Sequence, residues 1–313
     1  ENKKDILKAK IDSNIVDFNM DYQKDKKLAK IYGNKFTINY DVDKKKLTDG
    51  KGRIPFEIYH TANYLDFIAK NNKIEIKELK LADNSNKNNT FIAKGNANLD
   101  NGEFSLNYEG KATSIKRKVK ENDLILSFDG KGKIENKNNI LSSQGQINDL
   151  SLEYIGKIEK INGTYNFKKV GKDIEANLNT KIASIGYDKY KFENFNLVAN
   201  YSGNQVKIKD FSNNLISLKA DYNVDSQKIN SNVSINRLTN KDVYLDKVEF
   251  ILENLKANVQ GDIKNPQGNI DLGSSIVTLP SKDFVKITGK ASIKNSIVNI
   301  SGINLDNNLI TGK

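Results

Sequence analysis

The chain of 313 residues is 37% hydrophobic with a mean hydropathy of −0.62, a balance that suits an open sheet with much wetted surface better than a compact two-sided core. It has no Cys, no Trp and a single His, His60, which excludes a disulfide framework, thiol catalysis and any Cys-based metal site. The formal net charge of +11 rests almost wholly on lysine, Arg occurring only as Arg53, Arg117 and Arg237, and no run of about 18 apolar residues is present to span a membrane as a helix.

From the N-terminus, Leu7, Ala9 and Ile11 alternate, then Phe18, Met20 and Tyr22, then Phe36, Ile38, Tyr40 and Val42. Such alternation marks strands with one dry and one wet face. Lys51-Gly52-Arg53 leads through Pro55 to Phe56 and Ile58. Between Thr61 and Lys70 the period changes: Tyr64, Leu65 and Ile68 stand at helical spacing and predict one short helix. Alternation then resumes at Phe91, Ala93, Gly95, Ala97 and Leu99, and Asp100-Asn101-Gly102 predicts a hairpin turn. Phe104, Leu106, Tyr108, Gly110 and Ala112 return from it. Ser114 to Asp123 reads as a basic connection, followed by a strand through Leu124, Leu126, Phe128, Gly130, Gly132 and Ile134.

Later strands run through Tyr165 and Phe167, through Ile174, Ala176 and Leu178, and through Leu197, Ala199 and Tyr201. They continue through Val206 and Ile208, Leu218 to Val224, and Ile229 to Ile235. From Leu255 the alternation is strict: Leu255, Ala257, Val259, Gly261 and Ile263 point one way, and Lys256, Asn258, Gln260, Asp262 and Lys264 the other. Asn265-Pro266-Gln267-Gly268 carries the residue types of a turn, with Ile270 and Leu272 on the way back. Val285, Ile287, Gly289, Ala291 and Ile293 form the last full strand. The chain starts in polar sequence at Glu1 and stops at Lys313 as another strand begins, so we expect a piece of a longer protein.

Two internal repeats organise this run. The first, apolar-x-apolar-x-x-apolar-x-apolar, occurs as Ile74/Ile76/Leu79/Leu81, Tyr190/Phe192/Phe195/Leu197, Val243/Leu245/Val248/Phe250 and Val298/Ile300/Ile303/Leu305, with a partial copy at Val206/Ile208/Phe211. The extra central residue flips the parity. A β-bulge absorbs it, keeps the apolar set on one face and bends the strand. The second repeat is Asn-Asn before an apolar strand, at Asn88, Asn138, Asn213 and Asn307. The unequal intervals disfavour a solenoid of fixed rung length. Consecutive hairpins of variable length fit better, giving one continuous elongated β domain over 1–313. Residues 1–72 would include the short capping helix, and 73–313 the repeated bulged hairpins. With roughly 20 to 25 strands at about 4.8 Å spacing, the sheet would run on the order of 100 Å.

Bulged strands, small residues on the apolar face and the phrase Gly261-Asp262-Ile263-Lys264-Asn265-Pro266-Gln267-Gly268 resemble the long middle region of the TamB family, within the AsmA-like group of diderm bacteria. The pattern covers Ile74 to Lys313. The resemblance implies an all-β fold, a curled antiparallel sheet forming a taco-like trough with an apolar interior. It also implies a periplasmic protein tethered to the inner membrane, phospholipid as cargo and an outer-membrane barrel partner of the TamA type.

The residues assigned to the trough are Phe104, Leu106, Tyr108, Leu124, Leu126 and Phe128, then Leu178, Phe195, Leu197, Tyr201, Val206, Ile208, Leu218 and Tyr222. The C-terminal set is Val248, Phe250, Leu252, Val259, Ile263, Ile270, Leu272, Val285, Ile287 and Ile293. Phe250, Val259 and Ile263 should line the trough while Glu249, Lys256 and Asp262 face water, if the chain turns at Glu253-Asn254. Lys116, Arg117, Lys118 and Lys120 are the candidate contacts for an anionic headgroup, with a solvated loop as the plainer reading.

Catalysis finds no support. Gly130-Lys131-Gly132 lies mid-strand without a helix start, so a phosphate loop is disfavoured against glycines that admit a neighbouring backbone. His60 has no second His and no Gly-x-Ser-x-Gly partner. We expect no enzyme, no cofactor and no metal. Nucleic acid is disfavoured too, because the lysines are spread among acids and the aromatics lie on the dry face. The expected function is a hydrophobic conduit for phospholipid between inner and outer membranes. The alternatives are a scaffold for outer-membrane protein assembly by strand addition, an elongated surface adhesin, and an ordinary sandwich with a dry core.

Overall fold

The computed structural model describes residues 6–11, 16–58, 61–83, 86, 88–188, 190–242, 249–278, 284–294, 297–306 and 311–312. Among them the fold is all-β. Twenty-three strands form one antiparallel sheet, and no helix is present among the described residues. The strands are β1 (Ile6–Ile11), β2 (Phe18–Gln23), β3 (Leu28–Tyr32), β4 (Phe36–Asp41), β5 (Lys46–Ile58), β6 (Thr61–Lys70), β7 (Lys73–Ala82) and β8 (Thr90–Asn98). Four long strands follow: β9 (Glu103–Val119), β10 (Asn122–Lys137), β11 (Ile140–Glu153) and β12 (Lys157–Val170). The remainder are β13 (Asp173–Tyr187), β14 (Tyr190–Ser202), β15 (Gln205–Ser212), β16 (Ile216–Asn223), β17 (Lys228–Thr239), β18 (Glu249–Asp262), β19 (Asn265–Asp271), β20 (Ser274–Thr278), β21 (Phe284–Lys294), β22 (Ile297–Asp306) and β23 (Thr311–Gly312).

The chain divides into two compact units. The first holds Glu1–Ile115, Leu126–Ile147 and Lys168–Lys172; the second holds Lys116–Ile125, Asn148–Phe167 and Asp173–Lys313. In the first unit each strand from β1 to β9 pairs antiparallel with the next. In the second, β13 to β18 do the same. There β18 pairs with β19 through Lys256–Asp262 and with β20 through Glu249–Glu253, so β19 and β20 lie end to end as one broken strand. The break falls at Leu272–Gly273, where Gly273 has φ 58°.

Three of the bulges predicted from the repeats are present. Register shifts occur between Ile76 and Leu79 in β7, between Ile208 and Phe211 in β15, and opposite Thr288/Lys290 in β22. The copy at Tyr190–Leu197 flips by another device. Asn194 takes φ 61° inside β14, and the partner strand keeps its register from Ile182↔Phe195 to Ser184↔Glu193. Asn254 in β18, with φ 57°, repeats this in the same Glu-Asn-apolar setting, Glu253-Asn254-Leu255. The Asn-Asn copies at Asn88, Asn138 and Asn213 fall between strands, as turn formers should. The copies at Val243–Phe250 and Asn307 rest mainly on residues outside the described ones.

Four expectations are corrected. Residues 61–70 form strand β6, paired along its length with β5 and β7. Phe67 and Ala69 point inward at 4% and 3% exposure while Ile68 points out at 47%. Apolar side chains on both faces of one strand imitated the helical period. The Asn265–Gly268 stretch is the start of β19, and the turn is Ile263–Lys264. Gly268 is small for a different reason: a Cβ there would stand 2.1 Å from the Asn258 carbonyl oxygen. Pro266 sits near the strand's start, a position that tolerates a missing N–H. The basic segment is mostly strand, β9 running to Val119 and β10 starting at Asn122. Finally, β18 is continuous through Glu253–Asn254, so no turn lies there.

Burial is thin. The accessible surface is 21099 Å² for 35.2 kDa. One globule of that mass would expose about 13,000 Å², and two separate halves about 16,000 Å². No large side chain among the described residues is fully buried. The exception to this sparseness is a core cluster in the first unit: Phe36, Leu47, Phe67 and Ala69, flanked by Phe18, Ile31, Ile38, Tyr40, Ile54, Leu65 and Ile74.

Candidate functional site

Residues directly opposite each other in an antiparallel ladder place their side chains on the same face. The registers therefore trace rows across the sheet. In the first unit one row runs Ala9–Met20–Ile31–Ile38–Gly50–Ala69–Ile74–Ala97–Phe104, from β1 to β9 without a polar residue. One residue along, the row Lys8–Asp21–Lys30–Asn39–Asp49 lies on the opposite face and is entirely polar.

The second unit repeats the arrangement. Leu178–Ala199–Ile208–Ala220–Ser231–Val259–Gly268–Ile293–Val298 crosses from β13 to β22 with one hydroxyl in it. Its neighbour on that face is Thr180–Leu197–Phe211–Leu218–Val233–Ala257–Ile270–Ala291–Ile300. The Ser231 hydroxyl donates to the Val259 carbonyl at 3.3 Å, so it does not stand free in the row. Bulges keep these rows intact. Ile208 and Phe211 stand three residues apart and would sit on opposite faces of a regular strand; the bulge in β15 brings them to one.

Most residues assigned to the trough fall on these two apolar faces. In the first unit Phe104, Leu106 and Tyr108 alternate along β9 with polar Ser105, Asn107 and Glu109. Tyr108 stacks on Phe91 at 5.6 Å, and the rings of Phe91 and Phe128 close over Gly110, where a Cβ would lie 3.3 Å from each. Leu126 shares the parity of Phe128; Leu124, at the start of β10, belongs to the second unit and is half-buried.

In the second unit Phe195 is 3% exposed and stacks on Phe211 at 4.6 Å. Tyr201, Val206 and Tyr222 form a row of their own beside Ile208. Phe250 faces Val277, which faces Val285, while Leu252 faces Ser275, which faces Ile287. Phe250 and Val259 differ in parity yet share the face because Asn254 flips the strand between them. Leu272 sits at the β19–β20 break, its N–H bonded to the Gly289 carbonyl at 2.9 Å. Ile263 is set apart: it is 52% exposed in the hairpin turn, off the strand rows. Val248 and His60 lie outside the described residues.

The residues assigned to the trough left out Ile182, Leu238, Phe211 and Phe91, which also lie on the apolar faces. Phe211 was already visible in the partial repeat. Leu238 was hidden, because it follows Arg237 and lies out of phase with Ile235.

The opposite face is ionic. Lys and Glu two apart on a strand pair along it, as in Lys133–Glu135, Lys157–Glu159 and Lys191–Glu193 at 2.6 to 2.8 Å. In the first unit the Arg53 guanidinium pairs with Asp66 and lies 4.0 Å over the Tyr64 ring, and the Tyr64 hydroxyl bonds Glu78. That hydroxyl's bond to Glu78, with some burial, raises the Tyr64 phenol above its ordinary range. Lys116, Arg117, Lys118 and Lys120 are exposed at the end of β9 and its turn, Lys118 within 3.6 Å of Asp123.

Gly130 and Gly132 lie inside β10. A Cβ on Gly132 would meet the Gln144 carbonyl oxygen at 2.5 Å, the close backbone approach anticipated for these glycines. No set of three metal-ligating side chains converges among the described residues. No helix among them is long and apolar enough to cross a membrane. No family model, no curated protein and no solved structure matches this chain.

Proposed function

We propose that this chain is a section of a hydrophobic conduit that shields phospholipid acyl chains between the inner and outer membranes of a diderm envelope. The observation that carries the reading is the apolar rows, nine strands wide in each unit and interrupted in the second only by the Ser231 and Thr180 hydroxyls, joined to a surface far larger than compact globules of this mass expose. Burying a methylene is worth about 0.8 kcal/mol, so exposing one long acyl chain to water costs on the order of 10 kcal/mol. An apolar row offers successive sites of similar affinity, and a tail moving along it meets few polar groups: in the second unit the Ser231 hydroxyl is already bonded and the Thr180 hydroxyl is buried. The resemblance to the TamB family supplies the rest of the proposal: a periplasmic location, a tether to the inner membrane and a barrel partner of the TamA type.

A photoreactive residue at position 250 or 259 in the living envelope is expected to capture phospholipid; one at 249, 256 or 262 is not. Phe250→Arg should obstruct transfer, since a tail would have to pass a solvated guanidinium, while Lys256→Arg should be tolerated. Equal capture at both sets of positions would refute the conduit. A second reading, strand addition for outer-membrane assembly, is favoured by β22, where Ile297, Val298 and Ile300 are 54–63% exposed. Protein rather than lipid captured at positions 298 and 300 would select it.

A further inference from the structure

The polar face of the first unit holds a cavity of about 650 Å³ beside the β6–β7 hairpin, within the usual range for small-ligand sites. Its carboxylates are already engaged. Glu75 pairs with Lys77 at 2.5 Å, and Glu135 pairs with Lys133 at 2.6 Å and accepts the Ser105 hydroxyl at 3.1 Å. Glu103 accepts the Asn138 backbone N–H at 3.1 Å. The cavity's lysines are not matched in this way. Lys70 and Lys73 make no ion pair or hydrogen bond among the described residues, and Lys137 acts on Glu135 only through space.

Lys70 and Lys73 also stand directly opposite each other, flanking the Asn71–Asn72 turn. Like charges at that position repel. The same polar row alternates its charges elsewhere, as in Lys8–Asp21–Lys30, and on its other side Lys70 faces Asp49, whose carboxylate accepts the Asn39 amide at 2.9 Å and makes no ion pair with Lys70. Ile68, 47% exposed, adds an apolar flank to this cavity on an otherwise polar face. With Glu75 and Glu135 matched by Lys77 and Lys133, the cavity is left with Lys70, Lys73 and Lys137 against the single Glu103 carboxylate, a net positive surface paired across two strands, with one greasy wall.

We propose that the cavity binds a phosphate ester. The Lys70 and Lys73 ammonium groups hold the phosphoryl oxygens, which turns their mutual repulsion into two attractions. Lys137 adds charge from β10, and Ile68 meets the ligand's carbon skeleton. The site lies on the face opposite the apolar rows, so it stands or falls independently of the conduit. The phosphate ester could be soluble or the headgroup of a lipid, and the probes must separate these.

The test titrates the whole chain at low salt with glycerol 3-phosphate, with dihexanoyl phosphatidylglycerol and with inorganic phosphate, followed by calorimetry. The double variant Lys70→Gln/Lys73→Gln is compared with Lys219→Gln, an exposed lysine in the second unit. We expect glycerol 3-phosphate to bind and the double variant to bind at least tenfold more weakly, with its Tm unchanged or raised because a repulsion has gone. Lys219→Gln should keep full affinity. Binding of dihexanoyl phosphatidylglycerol alone, with the same lysine dependence, assigns the site to a lipid headgroup. Equal affinity in the double variant, or no binding of any probe, overturns the proposal and leaves Lys70 and Lys73 as solvated surface charges.

Discussion

Strands β4–β7 and strands β21–β22 carry the same alternation and the same kind of apolar row, yet one end is buried and the other bare. Phe36 and Phe67 are 6% and 4% exposed, whereas Val298 and Ile300 are 54% and 59% exposed. The difference lies in what stands opposite. Phe67 faces Gly52 across the ladder, and a Cβ at Gly52 would stand 2.2 Å from the Lys35 carbonyl oxygen and 2.6 Å from Phe36 Cα. The missing side chain lets the strands close and leaves room for a ring to fold over. In β21–β22 Val298 faces Ile293 and Ile300 faces Ala291, with no ring to reach across. A ring folded across glycine is one way in which a one-layered sheet covers its own apolar face; Phe195, opposite Ile182, is covered by stacking on Phe211 instead. Elsewhere the face is left for something else to cover.

The largest test of that contrast is a pair of truncations. Phe67→Ala should cost about 3–5 kcal/mol, because it removes buried contacts and leaves a cavity among Phe36, Leu47 and Ala69. Ile300→Ala should cost less than about 0.5 kcal/mol, as an exposed substitution does. Urea unfolding of both variants checks this, and similar losses would mean that the β22 face is covered after all.

Next in size is Asn72, 6% exposed at the β6–β7 turn. Its Oδ1 accepts the Leu47 N–H at 2.6 Å and its Nδ2 donates to Asp100 at 2.6 Å, so one side chain ties three hairpin ends together beside the core. Asn72→Ala strands a buried N–H and should cost about 2 kcal/mol. Asn213→Ala in the second unit, where the amide caps Leu215 and Ile216 N–H in a more open turn, should cost about half as much. The ratio of the two urea midpoint shifts measures how much the core cluster tightens its surroundings.

How far this contrast could be read from sequence differs by feature. The period-two pattern and three of the bulges were visible, because a bulge shifts parity and parity is written in the order of residues. The strand at Thr61–Lys70 was not, because Tyr64 serves the polar face there, under Arg53 and bonded to Glu78, and its ring reads as apolar out of context. Gly268 was mistaken for a turn former for a related reason. Glycine answers both to positive φ and to a close backbone, and only the ladder shows that Asn258 presses on it. The first 72 residues looked least regular, yet they supply most of the buried cluster. Its rings meet across strands far apart in sequence, and no local window contains both Phe36 and Phe67.

Third come the two in-strand asparagine flips of the second unit. Asn194 and Asn254 hold φ 61° and 57°, a region Asn and Gly tolerate and β-branched residues avoid. Asn194→Gly should be nearly neutral, and Asn194→Val should cost about 1–2 kcal/mol. Deleting Asn194 should do worse: it restores plain alternation between Phe192 and Phe195 but slides every residue on one side of the gap by one place against β13. If the deletion leaves solubility and the urea midpoint unchanged, the register that Asn194 maintains against β13 is not what holds the apolar row together.

The smallest effects are electrostatic, and they set the units apart by pH. In the second unit the Glu159 carboxyl lies below its ordinary range because the Lys157 ammonium bonds it, with the Ser184 hydroxyl donating at 2.7 Å as the next cause. The unfolded chain therefore binds more protons than the folded one in that window, so stability rises with pH there. The contribution is complete above the ordinary carboxyl value of about 4.3 and is lost as pH falls through the lower folded value. In the first unit Tyr64 runs the other way. Its folded phenol holds its proton more tightly, so its contribution is complete below about pH 10 and is lost as pH rises through the raised value. Glu159→Gln should flatten the acid limb of a urea-midpoint profile and leave the alkaline limb alone; Tyr64→Phe should do the reverse. Both groups sit near solvent, so the changes of slope should be small and should shrink further in 0.5 M salt, roughly where screening acts within a few ångströms. A profile in which either variant moves the wrong limb would show that these bonds do not carry the pH dependence.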